Sequence, residues 1–220
     1  MGGYEDNYYM QMCKYIRLYK GCEDRVNVGE DKTVDVTGSF AQFNDATAVY
    51  TDPVGDTVAR DHAGWGEYFT DNSGRNDIVE IRVMKDQANY YVYIRTAENL
   101  TEPTAEGWMT LFIDSGCEGG LGGAWDIAVN RTAPVNGKTN IEKYENGAWT
   151  VIGTADIRYE GNQMMLSMDR LTVDASAEIG LCDIRFKVAD NYTQNEVMSF
   201  YTSGDCAPYG RLSFVFSNKK

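Results

Sequence analysis

Short runs of Val, Ile, Tyr, Phe and Thr, separated by Gly, Asn and Asp, dominate the chain after about residue 30. Runs of this kind are typical of β-strands, and the residues between them favour turns. About eleven runs fit two packed sheets, so we expect an all-β fold, a two-sheet antiparallel β-sandwich of the jelly-roll type. The expected strands are 32–36, 77–86, 89–97, 107–115, 125–131, 139–145, 148–153, 155–161, 162–170, 182–190 and 211–217.

Two pairs of these strands are expected to form antiparallel hairpins. A turn near residues 85–89 joins the first pair, and Gly161-Asn162, a common hairpin dipeptide, joins the second. In the first strand of the first pair, Val79 and Ile81 alternate with Glu80 and Arg82. Alternation of this kind places one face of a strand in the core and the other in water.

A different pattern precedes the strands. Between residues 4 and 20, apolar side chains recur every three or four positions, and Gly21 follows where a helix would end. These side chains are Tyr9, Met12, Cys13, Ile16 and Tyr19. We therefore divide the chain into an N-terminal helix, residues 1–24, expected to be the tail of a preceding domain, and a β-sandwich domain, residues 25–220.

Charge excludes two classes of partner. The chain has 220 residues, and 33 acidic against 20 basic side chains leave a net charge of −13. This charge repels phosphate backbones and anionic lipid surfaces, so we expect neither nucleic acid nor a membrane as a partner. The opening MGGYEDNYY lacks the basic and then apolar character of a signal peptide. We interpret it as the cut end of a longer protein in preference to a cytosolic start.

Catalytic motifs are not evident. His62 is the single histidine, and the chain lacks a Gly-x-Ser-x-Gly elbow and a nucleotide-binding glycine motif. Hydrolysis by a Ser-His-Asp triad and catalysis by a histidine-bound zinc ion are therefore not expected. Among 33 acidic residues some close pair is inevitable, so their number does not indicate a glycosidase. We expect a non-catalytic protein.

Residues 45–76 form a long stretch without a clear period, rich in Asp, Gly and aromatic residues. Long loops on a rigid scaffold often carry function. Asp52, Asp56 and Asp61 recur within it at short spacing, and Asp77 follows it. Their oxygens could converge on a structural Ca²⁺ ion, or the same carboxylates could form turns and stay solvated.

Aromatic residues in this stretch indicate a ligand site. Trp65 and Tyr68 lie close to Arg75 in the sequence, and Trp149 follows the turn Asn146-Gly147. Aromatic faces beside a few polar groups can stack and orient a sugar ring. The alternative is that these rings fill the core.

Several segments of the chain resemble a known family. They are YTDPVGDTVARDHAGW, DIVEIRVMKD, NYYVYIRTAENLT, GWMTLFID, WDIAVNR and SGDCAPYGRLSF. Over about residues 25–218, they are similar to a DOMON-like or family 9-like carbohydrate-binding sandwich, found C-terminal to glycoside-hydrolase-like domains in gut Bacteroidota. The resemblance implies an extracytoplasmic accessory domain of a glycan-degrading protein, with a polysaccharide or oligosaccharide and the adjacent catalytic domain as partners.

The resemblance also bears on cofactors. It implies a structural calcium ion, and some members of the broader DOMON-like group bind haem through Met and His. Although the chain has nine methionines, three of them, Met164, Met165 and Met168, fall in an expected strand where they can fill the core. With His62 as the single histidine, no haem is expected.

The expected function is carbohydrate binding without catalysis. The alternative is a structural domain that packs against an adjacent glycoside-hydrolase-like catalytic domain and has no ligand of its own.

Overall fold

The computed structural model describes most of the chain. The described residues are Met12, Cys13, Tyr15, Ile16, Tyr19 and Lys20 and the ranges 28–57, 60–63, 68–71, 73–103, 107–117, 119–192, 199–202, 204–210 and 212–219. Near the N-terminus, the described residues from Met12 to Tyr19 are helical, and Lys20 N donates to Ile16 O at 3.0 Å.

Strands dominate the described residues, as expected. They are β1 (Ala48–Thr51), β2 (His62–Ala63), β3 (Tyr68–Phe69), β4 (Ile78–Lys85), β5 (Asn89–Thr96), β6 (Thr110–Asp114), β7 (Ile127–Val129), β8 (Lys138–Glu145), β9 (Ala148–Glu160), β10 (Gln163–Asp169), β11 (Asp183–Ala189), β12 (Cys206–Ala207) and β13 (Phe214–Ser217). Short helices are α1 (Arg170–Val173), α2 (Ser199–Thr202) and two 3-10 helices, Phe40–Asp45 and Ala175–Ile179.

Eleven strands form one large antiparallel sheet that is nearly barrel-shaped, and β2 pairs with β3 in a small second sheet. The order in the large sheet is β1-β4-β5-β10-β9-β8-β7-β6-β11-β12, and β13 also pairs with β11. The expected all-β antiparallel fold is confirmed. The sequence did not show that hydrogen bonds connect these eleven strands into one sheet.

Tyr50 of β1 connects the two ends of this strand order. Its hydroxyl donates to Val215 O of β13 at 2.7 Å, and its ring packs edge-on against Phe186 of β11 with centroids 5.0 Å apart. The sheet therefore curves until β1 reaches β11 and β13. The main apolar core, which includes Ile81, Leu111 and Phe216, fills the space inside this curve.

Both expected hairpins are present, as β4–β5 and β9–β10. The two strands expected at 148–153 and 155–161 are one strand, β9, because no turn interrupts the chain at Gly153. The stretch 45–76, expected to be a loop, contains β1, β2 and β3.

The strand expected at 32–36 is wrong. Asp35 Oδ1 accepts hydrogen bonds from the amide (2.9 Å) and hydroxyl (2.7 Å) of Thr37, and Gly38 N donates to Asp35 O. These bonds form an Asx-type turn that competes with strand pairing. Residues 32–46, which we call the strap, instead cross the outer face of the sheet.

The strap covers an apolar patch on that outer face. Val34 and Phe43 of the strap pack with Met84, Tyr91 and Met165 in a separate buried cluster. The sheet therefore has a core on its inner face and a second, smaller core under the strap.

Asp86, in the turn between β4 and β5, fastens the start of the strap. Its Oδ2 accepts from Thr33 Oγ1 (2.8 Å) and Tyr91 Oη (2.6 Å), and its Oδ1 accepts from the amides of Ala88 and Asn89. Burial raises the pKa of Asp86, but these hydrogen bonds outweigh burial and lower the pKa to about 2. Ionised Asp86 therefore stabilises the folded state.

We predict that Asp86→Ala lowers the free energy of unfolding by about 1–2 kcal/mol at pH 7, less than the full pKa shift would give, because water screens this partly exposed carboxylate. Because the folded pKa lies below the unfolded value, this contribution is present above about pH 4 and lost as the pH falls towards 2. Urea unfolding between pH 7 and pH 2.5 measures it.

The matched control is Asp156→Ala. Asp156 Oδ1 pairs with Lys138 Nζ at 2.5 Å, but both side chains are about half exposed. Loss of an exposed pair changes stability by less than about 1 kcal/mol. Equal effects of the two variants at all pH values would contradict the assignment to Asp86.

Candidate functional site

Four aspartates lie at the ends of strands on one side of the large sheet. Asp52 follows β1 directly, Asp77 precedes β4 directly, Asp205 precedes β12 directly, and Asp56 lies in the segment after β1. Because β1 pairs with β4, the chain ends at Asp52 and Asp77 are neighbours in space. Single carboxylate oxygens of Asp52, Asp56 and Asp205 lie within 4.8 Å of one another.

Hydrogen bonds orient two of these side chains. Asp205 Oδ2 accepts from Ile78 N and its Oδ1 from Cys206 N, both at 2.7 Å. Asp77 Oδ2 accepts from Gly55 N at 2.8 Å. The other oxygen of Asp77, and Oδ2 of Asp52, are buried and have no hydrogen-bond partner among the described residues. Buried acceptors without partners are costly, so a cation bound next to these two oxygens would stabilise the fold.

The cluster is strongly electronegative. Burial raises the pKa of Asp52, and the neighbouring carboxylates of Asp205, Asp56 and Asp77 raise it further. Burial also raises the pKa of Asp205, with Asp56 the largest like-charge contribution. A cation bound between them would remove this repulsion and favour the ionised forms.

Lys187 is the fully buried cation next to the cluster. Burial lowers its pKa, while the charges of Asp52 and Asp205 oppose that effect. Its ammonium group donates to Pro208 O at 3.0 Å and to Gly210 O, and lies 4.2 Å from the ring centroid of Phe200. One ammonium group held by carbonyls balances only part of four carboxylates.

Three of the aspartates, Asp52, Asp56 and Asp205, fit a Ca²⁺ ion. Calcium prefers carboxylate and carbonyl oxygens at about 2.3–2.6 Å, so two oxygens on one ion are at most about 5 Å apart. The carboxylate oxygens of Asp52, Asp56 and Asp205, which all lie within 4.8 Å of one another, satisfy that geometry. The donor set contains oxygen only, which suits a hard cation and not a soft metal.

The sequence-based ligand set was Asp52, Asp56, Asp61 and Asp77. Three of these lie together in the structure, whereas Asp61 is exposed and accepts a hydrogen bond from Tyr68 Oη. Asp205 was missed because it is far from the others in the sequence. The sequence feature that could have identified Asp205 is its position directly before a short apolar pair, Cys206-Ala207.

A second candidate site is a groove on the outer face of the large sheet. Strand register places side chains in two rows that run across β4, β5, β10 and β9. The charged row consists of Glu80, Arg95, Gln163 and Glu160. The adjacent row consists of Arg82, Tyr93, Met165 and Arg158.

The strap forms one wall of this groove, through Ser39, Phe40 and Asn44. The groove has a volume of about 910 Å³, large enough for a small ligand or one or two sugar units. The ring of Phe40 packs edge-on against Tyr93, and the guanidinium group of Arg158 lies 5.1 Å from the centroid of the Phe40 ring. The floor is therefore polar and one wall is partly aromatic.

The described members of the predicted ligand-binding set do not line this groove. Trp65 lies outside the described residues. Tyr68 is exposed on β3, with 59% of its surface accessible. Arg75 donates to both oxygens of the fully buried carboxylate of Asp190, at 2.7 and 3.3 Å.

Trp149 is partly buried in a second aromatic cluster, with its ring centroid 5.0 Å from Tyr144 and 6.1 Å from Phe112. None of the described ligand-binding residues lines the groove. Sugar binding by Trp65, Tyr68, Arg75 and Trp149 stays a prediction.

Comparison with known proteins does not assign the chain to a family. No protein-family model matches the chain, and no curated protein matches it. The fold and the two sites therefore define the class: an all-β antiparallel protein with a partly buried acidic cluster and a polar groove on the outer face of its sheet.

We predict that Ca²⁺ raises the melting temperature of protein pretreated with EDTA. At a concentration one hundred times the dissociation constant, binding adds about 2.7 kcal/mol, which is about 5–10 °C for a chain of this size. Asp205→Asn should abolish most of the rise. Differential scanning calorimetry with and without Ca²⁺ measures both.

Asp61→Asn is the matched control, because it makes the same change outside the cluster and should leave the calcium effect intact. If Asp61→Asn abolished the rise and Asp205→Asn did not, the ion would bind at the set expected from sequence and not at the observed cluster.

Proposed function

We propose that the chain is a non-catalytic carbohydrate-binding domain of an extracytoplasmic glycan-degrading protein, and that its sugar site is the groove beside the strap. The observation that carries this proposal is the charged row on the floor of the groove. Its carboxylate, guanidinium and amide groups are the donors and acceptors that recognise sugar hydroxyls. Phe40 adds an apolar surface on which the C–H face of a sugar ring can pack.

Rigidity supports a binding role. The floor residues stand on four paired strands, and the wall is tied to them because Arg82 Nη1 donates to Phe43 O (3.0 Å) and Arg158 Nη1 to Thr37 O (2.9 Å). A site formed in advance loses little conformational entropy when the ligand binds. The groove can therefore bind a weakly hydrophobic ligand such as a sugar.

The arrangement of the two acids in the groove favours binding over catalysis. Glu80 on β4 and Glu160 on β9 are separated by three strand spacings, so their backbones are roughly 14 Å apart. The carboxyl groups of glycosidases lie about 5–10 Å apart, a separation that these two side chains would reach only by leaning towards each other. Both acids are also paired with arginine, at 2.9 Å from Arg82 to Glu80 and 2.7 Å from Arg158 to Glu160.

The proposed calcium ion has a structural role in this scheme. It would join the end of β1 and the segment that follows it to the start of β12, through Asp52, Asp56 and Asp205. Loss of the ion should therefore lower the stability of the fold, and it should weaken sugar binding only to the extent that the protein unfolds. The proposed partners are a polysaccharide or oligosaccharide and an adjacent catalytic domain of the same chain.

One observation bears on membranes. None of the helices in the described part of the chain has the length and apolar character needed to cross a bilayer.

The test is affinity electrophoresis of the purified chain in gels containing plant or host polysaccharides. We predict retardation by at least one glycan and its loss in Gln163→Ala, because Gln163 lies in the middle of the charged row. Gln87→Ala removes the same amide from an exposed turn and should bind like the wild type.

Two other results would contradict the proposal. Loss of retardation in Trp65→Ala but not in Gln163→Ala would move the site to the loop expected from sequence. Absence of retardation by every glycan would favour a packing domain that supports a catalytic neighbour.

A further inference from the structure

The three arginines of the groove have different roles. Arg82 and Arg158 hold the strap: Arg82 donates to Glu80 and Phe43 O, and Arg158 donates to Glu160, Thr37 O and Gly38 O. Each of these guanidinium groups is therefore committed to the fold of the protein.

Arg95 differs from the other two. It lies on β5 in the charged row, its side chain is 39% exposed, and it lines the groove. Its contact with Glu80 is 3.7 Å long, whereas Arg82 holds the other oxygen of Glu80 at 2.9 Å. Arg95 donates no hydrogen bond to any residue in the described part of the chain, so its planar group of donors is available to a ligand.

The local charge is opposite to that of the whole protein. The groove contains Arg82, Arg95 and Arg158 against Glu80 and Glu160, an excess of one positive charge, in a chain with a net charge of −13. The excess positive charge is not spread equally over the three arginines. Glu160 forms an ion pair with Arg158, whereas Glu80 forms ion pairs with both Arg82 and Arg95. The unbalanced charge is at Arg95.

We infer that the groove selects glycans whose sugars carry carboxylate groups, and that Arg95 binds the carboxylate. This inference rests on the proposed function, since it names the class of glycan for the same groove. Arginine matches a carboxylate with two parallel N–H···O bonds, which fixes orientation as well as charge. Glu80, Glu160 and Gln163 remain beside it to bind hydroxyl groups of the same sugar.

The geometry also sets the expected size of the effect. Arg95 is partly exposed, so bulk water and salt screen the pair. Hydrogen bonds to charged groups contribute enough to change affinity about tenfold or more. Long-range repulsion from the acidic chain is limited to about 8 Å at physiological salt, so it does not exclude an anionic glycan from the groove.

The experiment compares two ligands that differ in charge and by one methyl group on each sugar. Oligogalacturonate and its fully methyl-esterified form are titrated into the intact chain by calorimetry at low salt and at 0.3 M NaCl. We predict that the free acid binds at least about tenfold more tightly than the ester and that added salt weakens the binding of the acid alone.

Variants locate the effect. Arg95→Gln should remove the preference for the acid, so that the variant binds the acid and the ester with equal affinity. Arg185→Gln, which removes the same charge from an exposed position on β11, should retain the preference. Melting temperatures of both variants establish that each is folded.

The outcomes separate this inference from the proposed function. Equal binding of acid and ester that is lost in Gln163→Ala would overturn the inference and leave sugar binding in place. Binding of a sulfated glycan with rejection of the uronate would overturn the assignment to carboxylates. Absence of binding by these ligands and by every glycan of the polysaccharide panel would overturn both proposals.

Discussion

Closure of the large sheet is the constraint on which both candidate sites depend. Tyr50 connects β1 to β13 and packs against Phe186, which brings the two ends of the strand order together around one apolar core. The same closure brings the segment before β12 close to the ends of β1 and β4. Asp205 therefore meets Asp52, although the two are distant in the sequence.

The outer face of the sheet is only partly covered. Its apolar part, around Met84 and Met165, would be unfavourable in water, and the strap covers it with Val34 and Phe43. The charged row lies beside the covered part and lines the groove. A groove with a polar floor and an aromatic wall is therefore a direct consequence of covering only part of the face.

Local patterns predicted some parts of this arrangement well and others poorly. The hairpins around Asp86–Ala88 and Gly161 were predictable, because turn residues and alternation act over a few positions. The strand expected at 32–36 was wrong, because a side-chain turn at Asp35 outweighed the β-propensity of its neighbours. Strands β1, β2 and β3 were too short to show a period.

The sequence by itself determined the all-β class, most strand positions and a group of closely spaced aspartates. It could place Asp52, Asp56 and Asp77 together because they are close along the chain. Only the tertiary structure added Asp205, set Asp61 apart and aligned Arg95 with Glu80 and Gln163. The physical reason is that strand register and sheet closure join residues by hydrogen bonds between distant segments, and spacing along the chain carries no record of those bonds.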